Sequence, residues 1–197
     1  KTVRELRGED CIGFQSIPKP KQTTIVSRSF GDTVSDLDDL VNAISVFATT
    51  AAEEIRKANL VSSNVSVFIE TNRFSKEPQY TPSHSVELSP ATNNTRQIVR
   101  AAIRGCKEIY RKGFEFKKAG VMLHDLIDAE LAPPSLFDHV DPRDERLIQA
   151  FDQINQQQGA GSINFGTTGQ KAGWSSHSAF RSPAYTTEWS DILVVKT

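Results

Sequence analysis

Two adjacent lysines stand inside a segment that otherwise has the composition of a β-strand. Phe116, Val121 and Leu123 are apolar residues that favour strands, whereas Lys117 and Lys118 interrupt the pattern. Because neighbouring strand residues point to opposite faces, one lysine is directed towards the core side unless it reaches out at a sheet edge. Two interpretations are open: an edge strand whose charge prevents aggregation, or a strand whose lysines lie along a phosphate chain.

Other residues suited to phosphate contact lie before the first predicted strand, within that strand and beside the lysine pair. Contacts of this kind position a nucleic acid without reading its bases. Ordinary surface charge is the alternative, because a net charge of -1 provides no basic footprint overall. The candidate DNA-binding residues are Lys19, Lys21, Ser27, Arg28, Ser29, Arg111, Lys112, Lys117 and Lys118.

The acidic residues and histidines lack the pattern of a catalytic or metal site. Asp36, Asp38 and Asp39 precede a helical pattern and suit the positive end of its dipole. The 4 histidines show no metal-ligand spacing, and the glycines at 159–166 lack the spacing of a phosphate-binding loop. We therefore predict no catalytic residues, no metal site and no cofactor in this chain.

Length and composition restrict the class of protein. The chain has 197 residues, which suits one large or two small domains, and it opens without a starting Met, as expected of a fragment. Cys11 and Cys106 are too few for a disulfide framework, which favours a reducing compartment such as the cytoplasm. No apolar run reaches about 18 residues, so we predict no membrane partner.

Hydrophobic periodicity and turn residues predict an α+β domain. Its elements are a strand at 22–30, a helix at 36–57 capped by Ser35, strands at 65–69 and 85–88, a helix at 98–110 with Gly113 at its C′ position, and a strand at 114–124. The βαββαβ order predicts a four-stranded sheet with two helices on one face. The other face stays open, and an open sheet face is a common docking surface.

One alternative comes from residues 112–116, which are similar to the aromatic RNP1 element of RNA-recognition domains. In those domains the element lies on the third strand, before the second helix. Here it follows the second helix, and strand one lacks the partner aromatic residues. This disfavours an RNA-recognition domain.

After residue 129 the composition changes. Prolines predict a tether at 130–143, followed by a helix at 144–158 with Leu147, Ile148, Phe151 and Ile154 facing inwards. A β-like run at 192–195 completes a small α/β unit near the lower size limit for an independent core. Leu136 and Phe137 lie in the tether, where large apolar side chains either fold back or insert into a partner's groove.

Four motifs resemble the C-terminal half of the UmuC family, the catalytic subunits of bacterial DNA polymerase V and members of the Y-family of translesion polymerases. The motifs are TVRELRG at 2–8, SRSFG at 27–31, KKAGVML at 117–123 and SPAYTT at 182–187. The resemblance divides the chain into the thumb end and linker (1–18), the DNA-binding little finger (19–129), a tether (130–143) and a UmuC-type C-terminal extension (144–197).

The resemblance implies a non-catalytic fragment of an error-prone DNA polymerase, because the Mg²⁺-binding carboxylates of that family lie in a palm domain outside it. It also implies that Lys117 and Lys118, with the segment from Ser27 to Ser29, grip primer-template DNA during the SOS response. The β-clamp-binding peptide corresponds to Pro133, Pro134, Ser135, Leu136 and Phe137. Pro133 replaces its usual Gln, and Pro134 its first Leu.

The implied partners are primer-template DNA, the sliding clamp, the UmuD′ dimer and RecA, in the bacterial cytoplasm and at the nucleoid during DNA damage. An alternative hypothesis makes the chain mainly a protein-interaction module that binds the clamp, UmuD′ or RecA. The near-neutral charge and the Leu136–Phe137 pair motivate that alternative.

Overall fold

Four long strands and three long helices make up most of the part of the chain that the structure describes. A computed structural model describes residues 1–11, 20–133, 142–159, 161–168, 174 and 182–192. The elements are α1 (Thr2–Leu6), β1 (Thr24–Val34), α2 (Leu37–Lys57), β2 (Leu60–Thr71), β3 (Ser83–Thr92), α3 (Thr95–Ile109), β4 (Phe116–Asp128) and α4 (Pro142–Gln158). Short 3-10 turns lie at Ala129–Leu131, Gly166–Thr168 and Trp189–Asp191.

The four strands form one antiparallel sheet in the order β1-β4-β2-β3. The predicted α+β class and the βαββαβ order are therefore confirmed. The lysine-containing strand β4 is central, so its interpretation as a charge-guarded edge strand is wrong. β1 and β2 run parallel with β4 between them, because both pair antiparallel with β4.

The core lies between the sheet and α2 and α3. Leu40, Ile44 and Ile55 of α2 are fully buried, as is Ile98 of α3. They face Val65, Val67 and Ile69 of β2 and Val121 and Leu123 of β4 in one cluster. This burial stabilises the fold by roughly 1.5–3 kcal/mol for each large side chain. We call residues 20–133 the sheet domain.

Asparagine and aspartate, not serine, cap the two core helices. Asp36 caps α2, because its Oδ1 accepts a hydrogen bond of 2.7 Å from the amide of Asp38. Asn94 caps α3 by accepting from the amides of Arg96 and Gln97. The predicted cap at Ser35 is therefore wrong by one residue.

Several predicted boundaries are also wrong, and those of β3 and α3 have identifiable physical reasons. β3 continues through Pro90 to Thr92, because β3 is an edge strand and a proline there removes no necessary ladder donor. α3 ends at Ile109 with Tyr110 as its C-cap, so Gly113 is not at C′. Gly113 instead supplies a φ of 98° in the turn that leads into β4.

The C-terminal segment, meaning the described residues from 142 to 192, packs behind α2. Ile148 of α4 is 4% exposed and faces inwards as predicted, whereas Leu147 is 43% exposed, contrary to prediction. The predicted strand at 192–195 falls almost entirely outside the described residues. Among the described helices, none combines the length and apolarity needed to cross a bilayer.

Candidate nucleic-acid interface

One face of the sheet is not covered by any helix among the residues that the structure describes. α2 and α3 cover the opposite face in the described part of the chain, and α4 contacts α2. We call the uncovered side the open face. By strand register it comprises Ile25, Ser27, Ser29, Asn64, Ser66, Phe68, Glu70, Ser83, Ser85, Glu87, Lys118, Gly120, Met122 and His124.

Lys118 lies near one end of this face, between a serine and a glutamate on the neighbouring strands and close to an aromatic ring. It is opposite Ser29 on β1 and Glu70 on β2. Its Nζ is 3.9 Å from Glu70 Oε1 and 5.4 Å from the centre of the Phe68 ring. The side chain is 37% exposed, and a partly exposed ion pair of this length contributes little stability, so Lys118 is able to contact an external anion.

Lys117 has a different environment, because it is the extra residue of a β-bulge. Glu70 and Thr71 are adjacent on β2, yet they pair with Lys118 and Phe116, which leaves Lys117 between two register positions. Its Nζ donates a hydrogen bond of 2.7 Å to the carbonyl of Gly31. The bulge explains how two consecutive lysines fit into a central strand.

Arg28 does not share the open face with Ser27 and Ser29. It lies opposite the buried Ala119, which places it on the helix-covered side of the register. Because β1 is an edge strand, the side chain nevertheless reaches solvent, and its Nη1 donates 2.9 Å to the Ser27 carbonyl.

The remaining candidates fall at opposite ends of the sheet. Arg111 and Lys112 are exposed just before β4 begins, and Arg111 lies 4.9 Å above the centre of the Tyr80 ring. Lys21 pairs with Glu54 at 3.8 Å, and the carbonyl of the next residue accepts from the Leu126 amide. Leu126 is roughly 26 Å along β4 from Lys118 at 3.3 Å per residue. Lys19 is outside the described residues.

Sequence analysis missed a chain of polar side chains across the centre of the open face. His124 Nε2 lies 2.8 Å from Ser66 Oγ, which lies 2.6 Å from Ser85 Oγ. The Oδ1 atom of the neighbouring Asn64 is buried without a partner among the described residues. The alternation of Asn64, Ser66, Phe68 and Glu70 with buried aliphatic residues was the available signal.

Gly120 is required by close packing at the centre of this face. A Cβ atom there would lie 2.4 Å from Cζ of Phe68 and 2.6 Å from Cβ of Ser27. Glycine therefore lets the Phe68 ring lie across β4, where Lys118 contacts it. The result is a surface with hydroxyl groups along β1 and on β2 and β3, and with the Lys118 ammonium group close to an aromatic ring.

The aromatic residues around position 114 do not form an RNA-recognition platform. Phe116 is fully buried, and Phe114 stacks on Tyr80 with ring centres 4.7 Å apart. The described residues also contain no cluster of three or more His, Cys, Asp or Glu able to hold a metal ion. Within that part of the chain, the geometry favours anion contact by Ser27, Ser29 and Lys118.

The predicted clamp-binding peptide is largely outside the described residues. Pro133 is described and exposed, and Leu131 just before it is 79% exposed. Pro134, Ser135, Leu136 and Phe137 are not described.

Comparison with known proteins identifies two matching regions and several relatives. Residues 21–136 match the impB/mucB/samB family C-terminal domain, and residues 145–195 match a domain of unknown function, DUF4113. The chain is 37% identical over 199 residues to Protein UmuC of Salmonella typhimurium and 39% identical over 199 residues to Protein SamB of the same species. Each alignment covers 100% of this chain and 47% of the relative, so the chain spans about half the length of these proteins.

Solved structures give weaker similarities. A post-insertion binary complex of Dbh DNA polymerase aligns with a TM-score of 0.45 and 11% identity, over 64% of this chain and 34% of that one. The complex of the beta-clamp processivity factor and the little finger domain of PolIV aligns with a TM-score of 0.37 and 13% identity. That alignment covers 61% of this chain and 97% of the other.

Proposed function

The chain belongs to the impB/mucB/samB family, and on that premise we propose that its sheet domain holds primer-template DNA for a translesion DNA polymerase. The observation that supports this role best is the open face, where Lys118 lies beside Ser29 and Glu70 on a surface free of helices in the described residues. Hydroxyl and ammonium groups bind phosphate oxygens, so the contact follows the backbone of the duplex.

This mode of binding suits a damaged template. Phosphate contacts carry no sequence information, so an altered base leaves them intact. Nucleotidyl transfer and its Mg²⁺-binding carboxylates belong, in this proposal, to the part of the parent protein that the chain does not span. We expect the 197-residue chain to bind DNA without polymerase activity of its own.

The salt dependence of duplex binding tests the proposal. Each phosphate contact that a cation makes contributes about 0.9 to the slope of log K against log salt. Lys118→Ala is expected to weaken binding and to reduce this slope by about 0.9. The matched control is Lys57→Ala, which removes one exposed charge from the last turn of α2, on the covered side of the sheet.

The variant Lys117→Ala distinguishes the role of Lys117 from that of Lys118. Since Lys117 donates to the Gly31 carbonyl, its loss is expected to lower the free energy of unfolding by about 1 kcal/mol and to leave the salt slope unchanged. Salt-independent binding, or equal slopes for Lys118→Ala and Lys57→Ala, would refute DNA binding by the open face.

Clamp binding by residues 133–137 is a second candidate function. Leu131 and Pro133, the described residues nearest to and at the start of this peptide, are exposed, which supports this candidate. Pull-down with the sliding clamp is expected to fail for the double variant Leu136→Ala, Phe137→Ala. Equal retention of wild type and variant would exclude the peptide. UmuD′ and RecA remain predicted partners.

A further inference from the structure

Phe74 is an apolar side chain held out into solvent by an ordered loop. It lies between β2 and β3 and is 90% exposed. Trp189 is equally exposed but belongs to a three-residue turn in the C-terminal segment. Phe74 differs because a network of hydrogen bonds fixes the loop that presents it.

The network begins at Asn72. Its Oδ1 accepts a hydrogen bond of 3.1 Å from the amide of Phe74, and its carbonyl accepts one of 2.9 Å from the amide of Ser75. The amide group of Gln79 closes the loop from inside, because its Nε2 shares its two hydrogens among the carbonyls of Asn72, Ser75 and Glu77, at 3.0, 3.2 and 2.9 Å. A loop ordered in advance loses little conformational entropy when it binds.

The base of the loop is tied to the sheet. Gln79 Oε1 accepts a hydrogen bond of 2.9 Å from Thr71 Oγ1. The same Thr71 oxygen accepts a hydrogen bond of 3.0 Å from the amide of Tyr80. Thr71 pairs with Phe116 at the start of β4, the end of the sheet where Lys118 lies. The exposed ring therefore has a defined position relative to the open face.

Charge also connects the loop with the open face. Arg73 is next to Phe74, and its Nη2 lies 3.1 Å from Oε2 of Glu70. The other oxygen of Glu70 lies 3.9 Å from Nζ of Lys118. Arg73, Lys76 and Glu77 are all exposed, so two cations and one carboxylate accompany the ring on the loop.

The neighbours of Phe74 indicate the kind of partner. A ring that anchors a protein interface is normally surrounded by other contacts that exclude water. Here the adjacent side chains are Arg73, Ser75 and Lys76. An aromatic ring accompanied by cations is the arrangement with which proteins bind single-stranded nucleic acid, by stacking on bases and neutralising phosphates.

We propose that Phe74 stacks on an unpaired base of the single strand that extends beyond the duplex held on the open face, while Arg73 and Lys76 contact its phosphates. The inference rests on the proposed function and adds a single-strand site to it. Stacking tolerates any base, because every base has a π-face.

Two DNA probes test the site with the 197-residue chain. One is a blunt duplex, and the other is the same duplex with a single-stranded extension that carries 2-aminopurine at successive positions. Wild type is expected to bind the extended duplex more tightly and to change the 2-aminopurine fluorescence at one or two positions. Phe74→Ala is expected to weaken binding of the extended duplex by roughly 5- to 150-fold, with little effect on the blunt duplex.

Matched variants identify the interaction. Phe74→Trp is expected to retain the preference, and Phe74→Leu to lose it, because leucine is apolar without a π-face. Trp189→Ala removes an equally exposed ring and is expected to change nothing. The salt slope is expected to fall for Arg73→Ala and to stay constant for every Phe74 variant, since phenylalanine carries no charge.

The outcomes separate this site from the function it extends. The stacking site would be overturned if Phe74→Ala weakened binding of both DNA probes equally, or of neither. Full retention of the preference for the extended duplex by Phe74→Leu would also overturn it, and would indicate an apolar anchor for a protein. Duplex binding that depends on Lys118 without a preference for the extension would refute the Phe74 site alone. If single-stranded DNA binds in a Phe74-dependent manner and the duplex does not bind at all, only the proposed role of the open face is refuted.

Discussion

The core of the sheet domain and the attachment of the C-terminal segment depend on different interactions. The sheet domain buries a continuous apolar cluster that reaches from Val26 to Leu126. In the described part of the C-terminal segment, only Ile148 and Thr168 are buried. The segment is held chiefly by individual polar and aromatic contacts, which are easier to lose one at a time than a packed core.

Those contacts lie along α2 and extend to Arg96 of α3 and to Gly31 of β1, whose amide donates a hydrogen bond of 3.4 Å to the Trp174 carbonyl. Asp152 accepts two bonds from Arg56, at 2.7 and 2.8 Å. Trp174 packs edge-on against Phe47 with ring centres 5.4 Å apart, and its Nε1 donates 3.1 Å to Asn42. Asn42 and Arg56 are roughly 21 Å apart at 1.5 Å per helical residue. The described part of this segment thus lies on the helix-covered side of the sheet, away from the open face.

Phe116→Ala is expected to have the largest effect and to unfold both regions together. The Phe116 side chain is fully buried in the central strand, so its removal is expected to cost about 3–5 kcal/mol. Chemical denaturation followed by circular dichroism measures the loss. The control Leu147→Ala alters a side chain that is 43% exposed and is expected to cost less than about 0.5 kcal/mol. Similar losses in the free energy of unfolding for Phe116→Ala and Leu147→Ala would contradict the difference between the packed sheet domain and the C-terminal segment.

Alkaline pH is expected to weaken the sheet domain through Cys106. Burial raises the pKa of this thiol to about 11, so the folded thiol keeps its proton where the unfolded one loses it. Stability is therefore intact below about pH 9 and falls by about 2–3 kcal/mol as the pH rises to 11. Urea unfolding across this range measures the effect, and Cys106→Ala is expected to remove this part of the pH dependence. An unchanged pH profile in that variant would refute the assignment.

Each of the two regions also contains residues whose signal reports its own unfolding. Both tryptophans, Trp174 and Trp189, belong to the C-terminal segment, whereas Cys106 lies in the core of the sheet domain. With increasing urea, tryptophan fluorescence is expected to change before Cys106 becomes accessible to a thiol reagent, because fewer contacts hold Trp174. Coincident transitions would show that the two regions unfold as one unit.

Asp152→Ala is expected to have the smallest effect and to act on the C-terminal segment alone. Arg56 keeps its bonds to the Asn93 carbonyl and Thr95 Oγ1, so the sheet domain loses little. We expect a cost of about 1 kcal/mol or less, with faster hydrogen exchange in α4 and unchanged exchange in β2 and β4.

Asp144→Ala is the control for Asp152→Ala, because it breaks the more exposed pair between α4 and Arg96. It is expected to increase exchange in α4 less than Asp152→Ala does. Faster exchange in β2 after Asp152→Ala would contradict the independence of the two regions.

Sequence periodicity predicted the helices and strands of the sheet domain well, because each amphipathic element repeats its apolar residues at its own period. The stripe of α2, including Leu40, Ile44 and Ile55, is buried as expected. Boundaries were less predictable. Whether Pro90 ends β3 depends on whether its strand lies at an edge, and strand order is not a local property.

The candidate site was only partly predictable for the same reason. The sequence identified Lys118, Ser27 and Ser29, and the register places them on one face. The sequence did not distinguish Lys117 and Arg28 from these three residues. A bulge and an edge position change the direction of a side chain without changing the residue type. The functional assignment of these residues remains a prediction.

The residue pattern alone determined the α+β class, the order of elements and the family, since these depend on local periodicity and on short motifs. Tertiary structure decided that β4 is central, that Lys117 bonds to Gly31, and that Phe74 is held out beside the open face. These properties arise from contacts between residues distant in the chain, and no local pattern encodes which strands become neighbours.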